Sequence, residues 1–172
     1  MKRPLGLFVP VAALAILACS PGEQQEAGTP SMSAALPDTT AMSLWSHLEA
    51  ADYAVNFQLW PEKGELYPGT EPHGMLLTTY LNDVAFDALS SKAGTMPGGA
   101  IIVKENYMPD SVLAAITVMY KVDGYNADFG NWFFVKRLAN GTIEASGRVP
   151  MCQACHSAQA ANDYLFTGSI TP

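Results

Sequence analysis

The spacing of hydrophobic residues predicts two helices and several strands between residue 43 and the C-terminus. A first helix is predicted from Ser43 to about Tyr53, because apolar residues recur there at helical spacing after a capping serine. Asn82-Asp83 offers a second cap, for a helix through about Ser91. Apolar runs predict strands at 74–81, 100–107, 112–122 and 131–138, with a hairpin turn at Asn140-Gly141 and a helical segment at 152–161. Ala114-Ala115 leaves a helix open as the alternative at the start of the third strand.

This order of elements indicates the α+β fold class. Few connections between the predicted strands are long enough for repeated βαβ crossovers. The sheet is therefore expected to be mainly antiparallel, with a few flanking helices and a C-terminal segment that carries the cysteine motif described below. Residues 43–172 suffice for one hydrophobic core and show no internal repeat, so we expect a single domain there.

The first 42 residues predict export followed by a tether. Residues 1–18 have a basic start and an apolar stretch too short for a comfortable membrane span, as is typical of a secretory signal peptide. Ile16-Leu17-Ala18-Cys19 resembles the lipobox of bacterial lipoproteins, in which the cysteine is lipidated, and Ser20 favours the outer membrane. The polar residues of 19–42 predict a flexible tether. The expected location is the periplasm; an ordinary signal peptide, with Cys19 removed or unused, is the alternative.

Acidic residues outnumber basic ones by 16 to 9, which gives a formal net charge of −7. A chain this acidic is not expected to bind nucleic acid or an anionic bilayer by charge, so membrane contact should occur only through the lipid anchor. The acidic balance suits a basic partner such as a soluble cytochrome. Net charge also serves solubility alone, so this inference is a weak one.

The strongest chemical signal is Cys152-Gln153-Ala154-Cys155-His156, a C-x-x-C-H motif. Its two thiols can each add to a vinyl group of one porphyrin, and the next histidine can give the iron an axial imidazole, so the motif predicts one covalent haem c per chain. The chain has three cysteines, and Cys19 is accounted for separately. A zinc site would need two more ligands, with His47 and His73 the histidines left to help; a redox dithiol is the other alternative.

The motif lies close to the C-terminus, after the predicted sheet, whereas familiar monohaem cytochromes c are helical and carry it near their start. Over about residues 45–168 the chain resembles the cytochrome P-460 and cytochrome c′-β family. The matching stretches are Pro72-His73-Gly74, the strand around Lys104, Gly130-Asn131-Trp132, Cys152 to His156, and Asp163-Tyr164. The haem motif is the one of these that is specific by itself.

The resemblance implies an antiparallel sheet fold, a homodimer and one haem c per chain. It also implies His156 as the axial iron ligand and an open or apolar distal site on the other side of the haem. In the P-460 branch a lysine is bonded to a porphyrin meso carbon, and by position in the motif that lysine would be Lys104. That branch is associated with oxidation of hydroxylamine to nitrogen oxides, with electrons leaving to a partner cytochrome. The c′-β branch binds nitric oxide or carries electrons without the cross-link, and this is the alternative function.

Strand alternation gives Lys104 an independent interpretation. Residues 102, 104 and 106 should share one face, with Ile101 and Val103 on the other. Lys104 is the only cation of its strand and is thus placed among polar or haem-facing groups. A solvated lysine on an outer face, or one paired with a haem propionate, is the alternative.

Two further residues are candidates from their positions before the haem motif. Removing protons from hydroxylamine needs a base with a pKa near neutrality, and Glu144 is the candidate; an exposed hairpin glutamate is the alternative. Arg148 stands four residues before Cys152 and is a candidate for binding a propionate or a distal ligand, with a salt bridge at the rim as the alternative.

Whether the iron is open to a substrate depends on a sixth ligand. Met75 or His73 could supply one, and the site would then carry electrons without binding hydroxylamine. The alternative for the methionine is a packing role, and for His73 a loop position with a structural hydrogen bond.

Overall fold

A seven-stranded antiparallel sheet is the centre of residues 35–172, the part of the chain that this computed structural model describes. Across the sheet the strands lie in the order β1-β3-β4-β5-β6-β7. Strand β2 pairs with the same edge of β3 as β1 does, but with the other end of that strand. They are β1 (Gln58–Leu59), β2 (Tyr67–Pro68), β3 (Leu76–Leu81), β4 (Ile101–Tyr107), β5 (Leu113–Lys121), β6 (Trp132–Leu138) and β7 (Ile143–Gly147). The predicted α+β class with a mainly antiparallel sheet is confirmed, and the third predicted strand is a strand from its start at Leu113.

Four α-helices flank the sheet. They are α1 (Ala41–Ala50), α2 (Tyr53–Asn56), α3 (Asp83–Ser90) and α4 (Pro150–His156), with 3-10 helices at Ala127–Phe129 and Ser157–Asn162. Asn82 caps α3 as predicted, since its side chain accepts from the Ala85 amide at 3.0 Å. The predicted cap of α1 was wrong: Thr40 caps the helix by accepting from the Ser43 amide at 3.2 Å, because the apolar stripe starts one turn earlier than the serine suggests.

The compact unit spans Ala35–Pro172 and so begins before the predicted boundary at residue 43. Pro37 is buried, and its carbonyl accepts a hydrogen bond from the Tyr120 hydroxyl at 3.0 Å. The last residues of the predicted tether thus pack on the domain. The signal peptide at 1–18, lipidation at Cys19 and the rest of the tether lie outside the described residues. Among the described residues, no helix has the length and apolar character needed to cross a bilayer.

The sheet has an apolar cluster on each face, because alternate residues of each strand point to opposite sides. Ile101 and Val103 pack with Leu44 and Leu48 of α1 on one side. Ile102 packs on the other side in a separate cluster with helix α3, strand β6 and the C-terminal segment. That second cluster comprises Trp60, Leu81, Ala85, Ala88, Leu89, Met96, Ala100, Ile102, Trp132, Phe134, Leu165 and Ile170.

A buried ion pair fastens the C-terminal segment to this second face. Lys121 Nζ lies 2.6 Å from Asp163 Oδ1, and both side chains are less than 10% exposed. The other carboxylate oxygen accepts from the Met96 amide at 2.7 Å, and the Asp163 carbonyl accepts from Trp132 Nε1 at 3.0 Å. Each polar group is therefore paired, which is the condition under which a buried charge is tolerated.

Replacing Lys121 with methionine should destabilise the protein strongly, because it leaves the Asp163 carboxylate buried without its cation. We expect a loss of about 3–5 kcal/mol in chemical denaturation. Glu144→Gln is the matched control, since it breaks the half-exposed pair of Glu144 with Lys136 and should cost less than about 1 kcal/mol. Equal losses in the two variants would show that Lys121 does not stabilise the segment as described.

Candidate functional site

Helix α4 presents both cysteines of the C-x-x-C-H motif on one side. Pro150 occupies the first turn, where its missing amide hydrogen is not needed. Cys152 and Cys155 are three residues apart, a spacing that places two side chains on the same helix face. Both thiols are free, Cys152 partly buried and Cys155 exposed. Two neighbouring thiols are thus available to one ligand.

A backbone hydrogen bond fixes the orientation of the His156 imidazole. Its Nδ1 lies 2.7 Å from the Tyr164 carbonyl oxygen, which can only accept, so Nδ1 carries the hydrogen and Nε2 keeps its lone pair. Burial lowers the pKa of His156 and favours the neutral ring, against a smaller opposing effect of the carbonyl. A neutral imidazole with Nδ1 bound to a carbonyl is the usual state of a metal-binding histidine.

The motif opens on a cavity of about 350 Å³. A second cavity of about 250 Å³ adjoins it and shares His73, Lys104, Cys155 and His156 with it. The apolar part of the larger wall includes Trp60, Ile102, Val118, Met119, Phe134, Leu165 and Phe166. Volumes of this order, with an apolar wall and a few polar groups, are typical of cofactor sites.

Lys104 faces this cavity as strand alternation predicts. It lies on β4 with Ile102 and Asn106, which also line the cavity, while Glu105 points to the opposite face. Burial lowers the pKa of Lys104 to about 8. Its amine has one hydrogen bond, to the Thr167 hydroxyl at 3.3 Å, and forms no salt bridge with a described carboxylate.

His73 lies close to His156, and both line the two cavities. The two ring centroids are 6.4 Å apart and the ring planes are nearly perpendicular, at 88°. His73 Nδ1 lies 3.0 Å from Asn106 Oδ1, and burial lowers the pKa of His73 to about 4. Met75 also lines the cavity, but its side chain is 51% exposed.

Two predicted residues lie away from the cavity wall. Glu144 is on β7 and forms an ion pair at 2.6 Å with Lys136, which does line the cavity. Arg148 is exposed and donates to the Tyr125 carbonyl, with its guanidinium 5.1 Å from the Tyr125 ring centroid. The geometry therefore gives neither the base role of Glu144 nor the propionate role of Arg148 any support, and both stay predictions.

Three groups at the site were not singled out from the sequence. Glu71 is the carboxylate that the described part of the chain places on the cavity wall. Asn106 could have been found from its position two residues after Lys104 on the same strand face. Asp163-Tyr164 was noted as a matching stretch, but the role of the Tyr164 carbonyl could not be predicted. It depends on left-handed backbone at these two residues, with φ of 50° and 67°.

The donor set fits a covalently attached haem. Two thiols on one helix face, a neutral imidazole with a free Nε2 and an apolar wall are the groups that haem c requires. Nowhere in residues 35–172 do three or more His, Cys, Asp or Glu side chains cluster in a way that could hold a metal ion directly. The alternative of a zinc site thus gains no support there.

Comparison with known proteins agrees with this chemistry. No curated protein matches the chain. The sequence model of the Cytochrome P460 family matches residues 60–167, which include the Lys104 strand, the cavity walls and the whole C-x-x-C-H motif. This match covers more than half of the chain, and it confirms the resemblance drawn from the motifs: the protein belongs to the cytochrome P460 family of c-type haem proteins.

Proposed function

We propose that this cytochrome oxidises hydroxylamine, or a related small nitrogen species, at one haem c per chain. Cys152 and Cys155 attach the porphyrin, and His156 binds its iron through Nε2. The observation that carries this proposal is Lys104, whose amine enters the same cavity as Cys155 and His156 without a carboxylate partner among the described side chains. By resemblance to the P-460 branch, Lys104 is the residue that contacts the porphyrin edge.

Lys104 is a buried lysine, and its surroundings suit contact with a porphyrin ring better than solvent exposure would. A solvated lysine keeps its ordinary pKa, whereas burial lowers the pKa of this amine to about 8. An appreciable fraction is then neutral near physiological pH, and a neutral amine is the form that can make a covalent bond. The neighbouring Thr167 hydroxyl orients the amine.

Oxidation of hydroxylamine also requires acceptors for electrons and protons. Conversion of NH₂OH to HNO releases two electrons and two protons. The haem iron supplies the redox centre, and a soluble partner cytochrome takes the electrons. Glu71 is our candidate for the proton acceptor, because this exposed residue lines both cavities, two positions before His73.

The proposed setting follows from the N-terminal sequence and the family. A lipid on Cys19 would hold the mature protein at the periplasmic side of the outer membrane, with no other membrane contact. The acidic chain would attract a basic cytochrome partner. A homodimer is carried over from the resemblance.

A second candidate function is supported by a different observation. The His73 ring lies near His156, where it could serve as a second axial ligand in a cytochrome that carries electrons without binding a substrate. Such a protein, or a nitric-oxide binder of the c′-β kind, would have an uncross-linked haem. Turnover with hydroxylamine and a cytochrome acceptor separates these functions, because an electron carrier would show none.

Both cysteines should be needed for full attachment. We expect Cys152→Ala and Cys155→Ala each to keep haem through one thioether bond and the double variant to keep none after denaturation, as measured by intact mass and haem staining. Ala154→Ser is the control, since it changes an exposed residue between the thiols and should keep both bonds. Covalent haem in the double variant would contradict the attachment site.

Lys104→Met should change the haem spectrum if this amine is bonded to the porphyrin. The wild-type reduced Soret band should lie well to the red of an ordinary c-type haem, and the variant should return it to the ordinary position while intact mass still shows covalent haem. Thr167→Val is the control: it removes the hydrogen bond but not the amine, so it should keep the shifted band. An ordinary spectrum in the wild type would exclude the cross-link.

The two carboxylates can be compared directly as proton acceptors. Glu71→Gln should lower kcat for hydroxylamine by roughly 10²-fold, the usual contribution of a general base. Glu144→Gln should lower it less than about twofold, since Glu144 lies off the cavity wall. Steady-state rates with a cytochrome acceptor check this, and a larger loss for Glu144→Gln would return the base role to that residue.

A further inference from the structure

A cluster of tyrosines surrounds the buried carboxylate of Glu105, on the side of the sheet that faces away from the cavity. Glu105 follows Lys104 on β4, points to the opposite face and is 7% exposed. Its Oε1 accepts from the Tyr53 hydroxyl at 2.8 Å, and its Oε2 accepts from the Tyr107 hydroxyl at 2.6 Å. The ring of Tyr80 packs on that of Tyr53, with centroids 5.6 Å apart. The cluster is thus separated from the cavity by the thickness of the sheet.

Packing alone does not require a carboxylate at this position. Glu105 forms no salt bridge with any cation of residues 35–172. A buried charge is costly to keep, and apolar side chains of similar volume often replace buried ionic groups without loss of stability. A phenylalanine would likewise fill the space of Tyr53 without needing a polar partner. The pairing of two hydroxyls with one buried carboxylate therefore points to a chemical role.

Trp45 continues the aromatic series from this cluster to the protein surface. Its ring lies 6.4 Å from that of Tyr53, edge to face at 69°. Trp45 is half-buried on α1, and its Nε1 donates to Oε1 of the exposed Glu49 at 2.5 Å. Tyr53 and Trp45 are therefore adjacent aromatic side chains, and each donates its polar hydrogen to a carboxylate.

This arrangement suits side chains that lose an electron and a proton together. Tyrosine and tryptophan are the aromatic side chains most easily oxidised by one electron, and each gives a neutral radical if its polar hydrogen leaves as a proton. Burial and the hydrogen bond to Glu105 raise the pKa of Tyr53, so its hydroxyl keeps the hydrogen until the electron is removed. Glu105 is within hydrogen-bond distance to take the proton then. The Arg137 guanidinium lies 4.1 Å from the Trp45 ring centroid and opposes a positively charged radical there, so transfer of the indole proton to Glu49 is needed.

We propose that Tyr53 and Trp45 give electrons to the haem site when hydrogen peroxide oxidises it, and so carry oxidising equivalents through the sheet to the surface. This inference rests on the haem attachment proposed above and goes beyond hydroxylamine chemistry. In the balanced step, hydrogen peroxide takes two electrons and two protons, its O–O bond breaks, and two water molecules form. The Tyr53 O–H and Trp45 N–H bonds break, and each side chain supplies one electron and, by way of Glu105 or Glu49, one proton.

Such a transfer protects the lining of the cavity. The cavity wall includes four methionines, whose thioethers are readily oxidised to sulfoxides: Met75, Met108, Met119 and Met151. Oxidising equivalents that stay in the cavity would attack these side chains or the porphyrin. A radical that has moved to Trp45 lies near the surface instead, where a small soluble reductant can return it to the closed-shell side chain.

The test mixes ferric holoprotein variants with hydrogen peroxide and freezes them rapidly for electron paramagnetic resonance. We expect wild type to show an organic radical whose line shape changes when its tyrosines are ring-deuterated. Tyr53→Phe should lose this tyrosine signal. Glu105→Gln should lose it although Tyr53 remains, because the amide keeps the size of the side chain but is not a base. Tyr125→Phe is the matched control and should keep the signal: Tyr125 packs on the same face, 5.6 Å from Phe133, but its hydroxyl donates to no described carboxylate.

Survival of the haem gives a second measurement. Peroxide should bleach the Soret band faster in Tyr53→Phe, Glu105→Gln and Trp45→Phe than in wild type and Tyr125→Phe. The Soret band before peroxide is added shows that each variant has folded around its haem. Equal bleaching rates in all five proteins would overturn the proposal. So would a wild type without a radical, an unchanged tyrosine signal in Glu105→Gln, or an equal loss in Tyr125→Phe.

Failure of the proposed function gives a different result. If the radical and bleaching results are as expected but wild type does not oxidise hydroxylamine, the electron path stands and the enzymatic function falls. If wild type oxidises hydroxylamine but peroxide gives no protein radical, the reverse holds.

Discussion

The buried ion pair of Lys121 with Asp163 is the interaction on which the haem site depends. It fastens the segment after α4 to β5, and Trp132 and Met96 complete its hydrogen bonds. The next residue, Tyr164, then turns its carbonyl toward His156 at 2.7 Å. The close approach of Gly130, where an added Cβ would lie 2.6 Å from the Tyr164 ring, helps to hold this turn in place. The orientation of the His156 imidazole thus depends on the charge pair between β5 and the segment after α4, because that pair holds the backbone that carries the Tyr164 carbonyl.

The alternation of β4 explains why Lys104 has no carboxylate partner although Glu105 is its neighbour in sequence. Glu105 is on the opposite face, 7% exposed, and accepts hydrogen bonds from the Tyr53 hydroxyl at 2.8 Å and the Tyr107 hydroxyl at 2.6 Å. A buried carboxylate needs partners for its oxygens, and these two hydrogen bonds supply them without a cation. The strand therefore directs the two side chains to opposite faces of the sheet, and the lysine amine is left available to the cavity.

Periodicity and motif spacing were enough to predict the α+β sheet, the face of Lys104 and the helix that carries Cys152 and Cys155. They were not enough to place Glu144 and Arg148, because distance along the chain from a motif does not determine which side of a hairpin a residue occupies. Glu144 of β7 forms an ion pair with Lys136 of the neighbouring strand β6 and is not on the cavity wall. The two-residue strands β1 and β2 were also missed, since they exist only through pairing with β3 and carry no pattern of their own.

His73 and His156 are held in the cavity wall in unequal ways, and this inequality determines which of the two rings can move more easily. His156 lies at the end of a helix whose following segment is pinned by a buried charge pair, and its partner is a backbone carbonyl. His73 lies in a loop between β2 and β3, and its partner is a side-chain amide. Loop segments open at lower free energy than packed strands and helices do. His73 should therefore move more readily than His156, whose ring is held by the helix, the pinned segment and the carbonyl hydrogen bond.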